Sequence, residues 1–231
     1  DRSNEHTNSQ IACQLGINPP IRYFDAQTGI KLADFIVGAQ PLGQATIQRV
    51  EYLDQIAKLL HKLHDSAMRL SNDFNGFTEL RKYEHTLEEL GISVQDKDAL
   101  LIVPKLQARI NELGVSLDLV AENFIKDNLG NLYLIDWEYS GMNDPHWDIA
   151  ALFLESSFSA EAQAYFLARY YLNDVPADAS EKILIYQILM DLLWSLWTDI
   201  KEAGGEDFAS YGADRYARAL LNIKRWISHE F

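Results

Sequence analysis

Ser116-Leu117-Asp118-Leu119-Val120-Ala121-Glu122-Asn123-Phe124-Ile125 and, six residues later, Leu132-Tyr133-Leu134-Ile135-Asp136-Trp137-Glu138 carry the decisive pattern. An Asp is followed five residues on by an Asn, and a second Asp closes a short apolar run. Strand-like text at 123–125 and 132–135, around the turn residues Lys126-Asp127-Asn128-Leu129-Gly130-Asn131, predicts a small hairpin. The text around it is helical. Between Thr46 and His64 the residues Ile47, Val50, Leu53, Ile56, Ala57, Leu60 and Leu63 form one stripe at 3–4 spacing. Further helices are predicted over 77–90, stopped by Gly91, and 97–113, with Pro104 near its start and Gly114 at its end. Beyond Trp147 they follow at 148–156, 160–172, 179–203 and 210–229. Upstream, a helix over 3–15 precedes strands at 21–24 and 30–37, joined by a turn at 25–29. Residues 38–43 read as a linker. The whole is an α+β order.

Composition narrows the function. Of 231 residues, 48% are apolar and 23% charged, which suits a chain with a real core and excludes disorder and collagen-like architecture. Lys+Arg 20 against Asp+Glu 34 leaves a net charge of −14, unfavourable for nucleic acid and for anionic lipid. The single cysteine, Cys13, excludes an internal disulfide and a Cys-rich zinc site, fits a cytoplasmic setting, and reads as a core residue of the first helix. Residues 1–10 are polar and do not form a secretory signal. The apolar stretch Ile183–Ile200 is interrupted by Gln187, Asp191, Ser195, Thr198 and Asp199, which predicts a buried helix rather than membrane insertion.

Asp118, Asn123 and Asp136 have the chemistry that phosphoryl transfer from a nucleotide needs. One carboxylate orients the acceptor hydroxyl and accepts its proton, and further hard oxygen ligands hold Mg²⁺ against the phosphates. Asp-x-x-x-x-Asn by itself equally fits cap and turn residues. The second Asp after a hairpin makes the joint pattern informative.

The longer runs Ala121-Glu122-Asn123-Phe124-Ile125, Leu134-Ile135-Asp136-Trp137-Glu138-Tyr139-Ser140-Gly141-Met142-Asn143-Asp144-Pro145 and Trp147-Asp148 resemble the choline/ethanolamine kinase family, and bacterial choline kinases in particular. The resemblance implies a protein-kinase-like fold, represented mainly by its helical C-lobe with a small remnant of the N-terminal β lobe. Residues 1–41 would be the partial N-lobe, and 42–231 the helical lobe. It implies ATP as co-substrate, Mg²⁺ as cofactor and choline, or ethanolamine, as the acceptor. By the same resemblance Asp118 is the catalytic base, and Asn123 and Asp136 are the metal ligands. Glu5 lies on the helix whose Glu pairs with a phosphate-binding Lys. Asp34, Phe35 and Ile36 resemble the hinge that meets adenine, and Asp148 the acid that braces the catalytic loop.

A quaternary ammonium has no N–H to donate, so its site relies on aromatic faces and a carboxylate. Trp194 and Trp197, at i and i+3, share one helix face and resemble one wall of the family's choline pocket. Glu155, Tyr139 and Tyr211 match further positions around the ammonium group. Two Trp residues on an apolar helix also fit a core. His61 and His64 share a face, but they read as helix C-terminal residues.

The sequence departs from the family in two places. Ser116 replaces the usual catalytic-loop His, and these residues hold no glycine-rich phosphate loop or Val-Ala-Ile-Lys-like strand, so that segment either lies upstream of Asp1 or is lacking. Two alternatives stay open: another small-molecule kinase of aminoglycoside type, and a non-catalytic choline- or nucleotide-binding module.

Overall fold

The computed structural model describes residues 1–94, 97–114, 124–138 and 140–231, and the backbone of 118–119. The chain groups into two units, Asp1–Phe74 with Ser116–Pro176, and Asn75–Val115 with Ala177–Phe231. The boundary expected at 41–42 lies inside the first unit.

The first unit opens with α1 (Arg2–Gln14), capped by the Asp1 carboxylate on the Ser3 and Asn4 amides. The antiparallel hairpin β1 (Ile21–Asp25) and β2 (Ile30–Ala33) follows. β2 stops four residues short of the expected 37. The expected linker contains a further strand, β3 (Gln40–Pro41), which pairs with β5 (Phe124–Lys126), itself paired with β6 (Leu132–Leu134). The predicted hairpin is thus the centre and edge of a three-stranded sheet. The stripe at 46–64 forms two helices, α2 (Gln44–Ile47) and α3 (Val50–His64). Arg49 between them is extended, with φ −70° and ψ 141°. β4 (Asp118–Leu119) pairs antiparallel with β7 (Met142–Asn143), setting Asp118 opposite Asn143. α6 (His146–Glu155) and α7 (Ala160–Tyr170) complete the unit, with α7 against α3.

Trp137 anchors the strand ends. Its ring is buried and its Nε1 donates to Asn18 Oδ1 at 3.1 Å. Cys13 is only partly buried; Asn18 Nδ2 donates to its Sγ, and that Sγ donates to the Pro19 carbonyl, so it is a polar-contacting residue rather than core.

In the second unit α4 (Gly76–Glu89), α5 (Val103–Leu113) and α9 (Tyr211–Ile227) each pack on α8 (Ala179–Ala203). The helix expected from 97 begins as a 3-10 turn over Asp98–Ile102, with Pro104 at the start of α5. Among the described residues α8 alone is long and apolar enough to cross a membrane, but 78% of its most apolar window is buried in the protein, the pattern of a core helix. Its buried acids are paired. Asp191 accepts from Arg215 Nη1 at 3.1 Å and Arg218 Nε at 2.7 Å. Glu181 is held by the fork of Arg109 at 2.9 and 2.8 Å.

Candidate active site

The first unit contains a cavity of about 410 Å³. Leu42, Ile47, Phe124, Ile135 and Leu152 give it an apolar wall, and Asp136, Asp148 and Glu155 bring three carboxylates to it. Three of the residues singled out in the sequence therefore share one concavity. The topology explains this. β6 delivers Ile135 and Asp136 to one wall, and α6 supplies Asp148 from its first turn and Glu155 from its last.

Asp136 is exposed and has φ 66°, the left-handed region that Asp tolerates better than most residues. That backbone kink separates Asp136 from the buried residues on either side, Leu134 and Trp137.

Asp148 is 3% exposed. His64 Nε2 lies 3.2 Å from its Oδ2, and His64 Nδ1 lies 2.7 Å from the Tyr170 hydroxyl. A buried carboxylate is tolerated only when bonded, and here an imidazole from α3 meets it. The sequence shows His64 only as a helix C-terminal residue, because Asp148 and Tyr170 stand 84 and 106 residues away.

Among the nucleotide-binding candidates, Glu5 Oε1 is 3.0 Å from Lys31 Nζ, a lysine on β2 that sequence reading did not single out. Asp34 forms a two-bond fork with Arg22, both at 2.6 Å, which holds its carboxyl below the usual range. Phe35 is 85% exposed, and neither it nor Asp34 or Ile36 lines the cavity; Pro41 and Leu42 do.

In the second unit the rings of Trp194 and Trp197 meet edge to face at 5.8 Å. Phe208 adds a third ring 5.0 Å from Trp197. Both Trp are half-buried while neighbouring Leu193, Ser195 and Leu196 are buried, so each indole keeps part of its surface open. Tyr211 is 37% exposed; Arg215 Nη2 donates to its hydroxyl at 2.8 Å, and the guanidinium lies 4.9 Å from its ring centroid. Phe208 is the aromatic that sequence reading missed, because it lies outside any helical stripe. Asn123, Tyr139, Ser116 and the Asp118 side chain lie outside the described residues.

Within the first unit, three acidic residues at an apolar-walled cavity fit a site that handles metal-bound phosphates. The sequence model of the choline/ethanolamine kinase family matches residues 1–187. The chain belongs to the choline/ethanolamine kinase family. Protein LicA of Haemophilus influenzae (strain ATCC 51907 / DSM 11121 / KW20 / Rd) is 30% identical over 233 residues, covering 95% of this chain and 87% of that protein. The crystal structure of choline kinase LicA from Streptococcus pneumoniae superposes with TM-score 0.87 at 41% identity, over 97% of this chain and 80% of that one. A LicA structure in complex with AMP gives TM-score 0.85 at 40% identity, over 97% and 79%. An aminoglycoside 2'-phosphotransferase-IIIa mutant in its GDP complex shares the fold alone, with TM-score 0.61 at 13% identity over 100% of this chain and 82% of that one. This choline/ethanolamine kinase family member therefore has a protein-kinase-like α+β fold and is a small-molecule kinase using ATP as co-substrate.

Among the described residues no three His, Cys, Asp or Glu converge as a metal site. Mg²⁺ is commonly held by one or two protein oxygens and the nucleotide phosphates, so the exposed Asp136 at the cavity wall fits that mode.

Proposed function

We propose that this kinase transfers the γ-phosphoryl group of ATP to the hydroxyl of choline, in a cytoplasmic setting. The observation that carries this reading is the shared cavity of Asp136, Asp148 and Glu155, with its apolar wall. Asp118, on β4 opposite β7, is the base: it orients the choline hydroxyl and accepts its proton as the O–P bond forms. Asn123 and Asp136 are the protein ligands for Mg²⁺, which neutralises phosphate charge when bound. Asp148, braced by His64, supports the catalytic segment. Glu5, tied to Lys31, and the 34–36 stretch serve the nucleotide.

Trp194, Trp197, Glu155, Tyr139 and Tyr211 recognise the ammonium end. Aromatic faces and a carboxylate attract a quaternary ammonium without requiring an N–H. The half-open Trp194–Trp197 pair with Phe208 supports choline over an aminoglycoside, whose several ammonium groups favour an acid-rich pocket.

A tryptophan-fluorescence titration with choline, ethanolamine and an aminoglycoside, run beside a phosphate-transfer assay, tests the reading. Saturable binding and transfer selective for choline support it. Selective binding with no transfer would replace it with a non-catalytic choline-binding module, and transfer to the aminoglycoside alone would sink it.

A further inference from the structure

We propose that Gln48, assisted by Gln44, is a positioning residue for the acceptor site: it sets the register of the α6–α7 corner and thereby the place of the Glu155 carboxylate. The proposal rests on the reading of Glu155 as the carboxylate that meets the acceptor's ammonium.

The apolar stripe of 46–64 runs through residues 48 and 49 without a Gly or Pro, yet the helix breaks there. The break turns the Gln48 side chain onto the end of α6. Its Nε2 donates to the carbonyls of Ser156 at 3.1 Å and Ser157 at 3.2 Å. Its Oε1 accepts from the Ser159 amide at 3.0 Å. Gln44 Nε2 donates to the Glu155 carbonyl at 3.0 Å.

A helix ends with carbonyls that have no partner in the helix. α6 ends without a glycine, and the chain turns through Ser157 at φ 49° before Ser159 caps α7. Three successive carbonyls and the amide of the next helix's N-cap are met by two side-chain amides. A side-chain amide offers donors and an acceptor on one planar head, whereas an ionised Glu only accepts and Lys only donates, so neither can replace Gln48 here. Ile47, the residue before Gln48, lines the same cavity as Glu155, so α2 both walls the cavity and, through Gln44, holds the Glu155 backbone.

The test is steady-state kinetics of Gln48→Ala, Gln48→Glu and Glu155→Gln, with choline and with dimethylbutanol, its uncharged carbon isostere. Gln48→Ala is expected to raise KM for choline about fivefold, the equivalent of one lost hydrogen bond. KM for ATP and the affinity for dimethylbutanol should stay within about twofold on the same scale. Gln48→Glu, which keeps the acceptor and loses the donors, should behave like Gln48→Ala. On a Glu155→Gln background the Gln48→Ala effect should vanish, because both act through one carboxylate. Equal losses for choline and dimethylbutanol, or full additivity with Glu155→Gln, would overturn the proposal. So would an unchanged choline KM in Gln48→Ala while Glu155→Gln responds. An unchanged choline KM in Glu155→Gln would instead overturn the reading of Glu155 itself, and the proposal with it. Urea unfolding of each variant separates a loss of fold from a loss of position.

Discussion

His64 Nε2 lies 3.2 Å from Asp148 Oδ2 while its Nδ1 lies 2.7 Å from the Tyr170 hydroxyl, so one imidazole on α3 joins the first turn of α6 to the end of α7. All three residues are buried. Replacing His64 by Leu fills the volume but removes one partner of a buried carboxylate. The expected loss of stability is about 2–4 kcal/mol, against about 1 kcal/mol for Tyr170→Phe, which removes one hydroxyl. Urea unfolding measures both. Turnover of the folded His64→Leu enzyme should also fall, since Asp148 lines the cavity.

Asp136 separates a catalytic effect from a conformational one. Its φ of 66° is tolerated by Asn and disfavoured for Ala. Asp136→Asn should keep its unfolding midpoint while kcat falls by roughly 10²-fold or more, as charge stabilisation at the phosphates is lost. Asp136→Ala should lose the same activity and about 1 kcal/mol of stability besides. Asp118→Asn should lower kcat by roughly 10²–10⁴-fold, as expected for a general base, with choline affinity nearly unchanged. Full activity in either Asn variant would remove the corresponding role.

The aromatic cluster predicts graded losses of choline affinity. Trp194→Ala and Trp197→Ala should each weaken choline about tenfold or more, since a desolvated cation–π contact is worth up to about 2 kcal/mol. Phe208→Leu keeps bulk but loses the edge-to-face contact with Trp197 and should weaken choline about threefold. Isothermal titration with choline gives the ranking. Equal effects on dimethylbutanol would show that the cluster supplies shape rather than cation binding.

How much was legible in the sequence depended on range. The stripe of α3 was readable because helical periodicity is local and repeats, and α8 because a long apolar stretch with scattered polar residues fits a buried helix. β3, β4 and β7 are two residues long, too short to show alternation, and become strands only by pairing with distant segments. The break between α2 and α3 leaves no mark in the stripe, because the bonds that hold Gln48 in place come from residues 156–159. Asp136, Asp148 and Glu155 were singled out one by one; their meeting in one cavity follows from β6 and α6. The roles of His64 and Phe208 were not legible, because a buried imidazole and a loop aromatic declare them only through their partners.

The Arg109–Glu181 pair predicts a pH dependence. The Arg109 fork, foremost, holds the Glu181 carboxyl below the usual carboxylate range. A group whose pKa falls on folding contributes stability that is present above its unfolded pKa. That contribution is lost as pH drops through the folded value. Stability of the second unit should therefore decline as pH falls below about 4.3, the ordinary Glu value. Glu181→Gln should be less stable at pH 7 and flatter below pH 5. Unfolding midpoints measured across that range check the slope, and parallel curves for the two proteins would discount the pair.

Gly141 ties the specific Trp-Glu-Tyr-Ser-Gly-Met-Asn-Asp-Pro run to the proposed base, Asp118. A Cβ at Gly141 would stand 2.8 Å from Phe74 Cβ and 2.9 Å from Phe74 N and Asn72 Nδ2. Backbone cannot yield as a flexible side chain does, so segment 72–74 must move. That segment is bonded on both sides of the glycine. Asn72 Nδ2 donates to the Ser140 carbonyl at 2.9 Å, the Met142 amide to the Asn72 carbonyl at 2.8 Å, and the Phe74 amide to the Met142 carbonyl at 2.9 Å. Gly141→Ala should cost about 1–3 kcal/mol, the usual range for overpacking. Met142 and Asn143 form β7, whose partner is β4 with Asp118, so the displacement passes to the strand that carries the proposed base. Turnover of the folded Gly141→Ala enzyme should therefore fall severalfold while KM for ATP changes little. A variant that lost stability but kept full turnover would show that β4 holds Asp118 in place without β7.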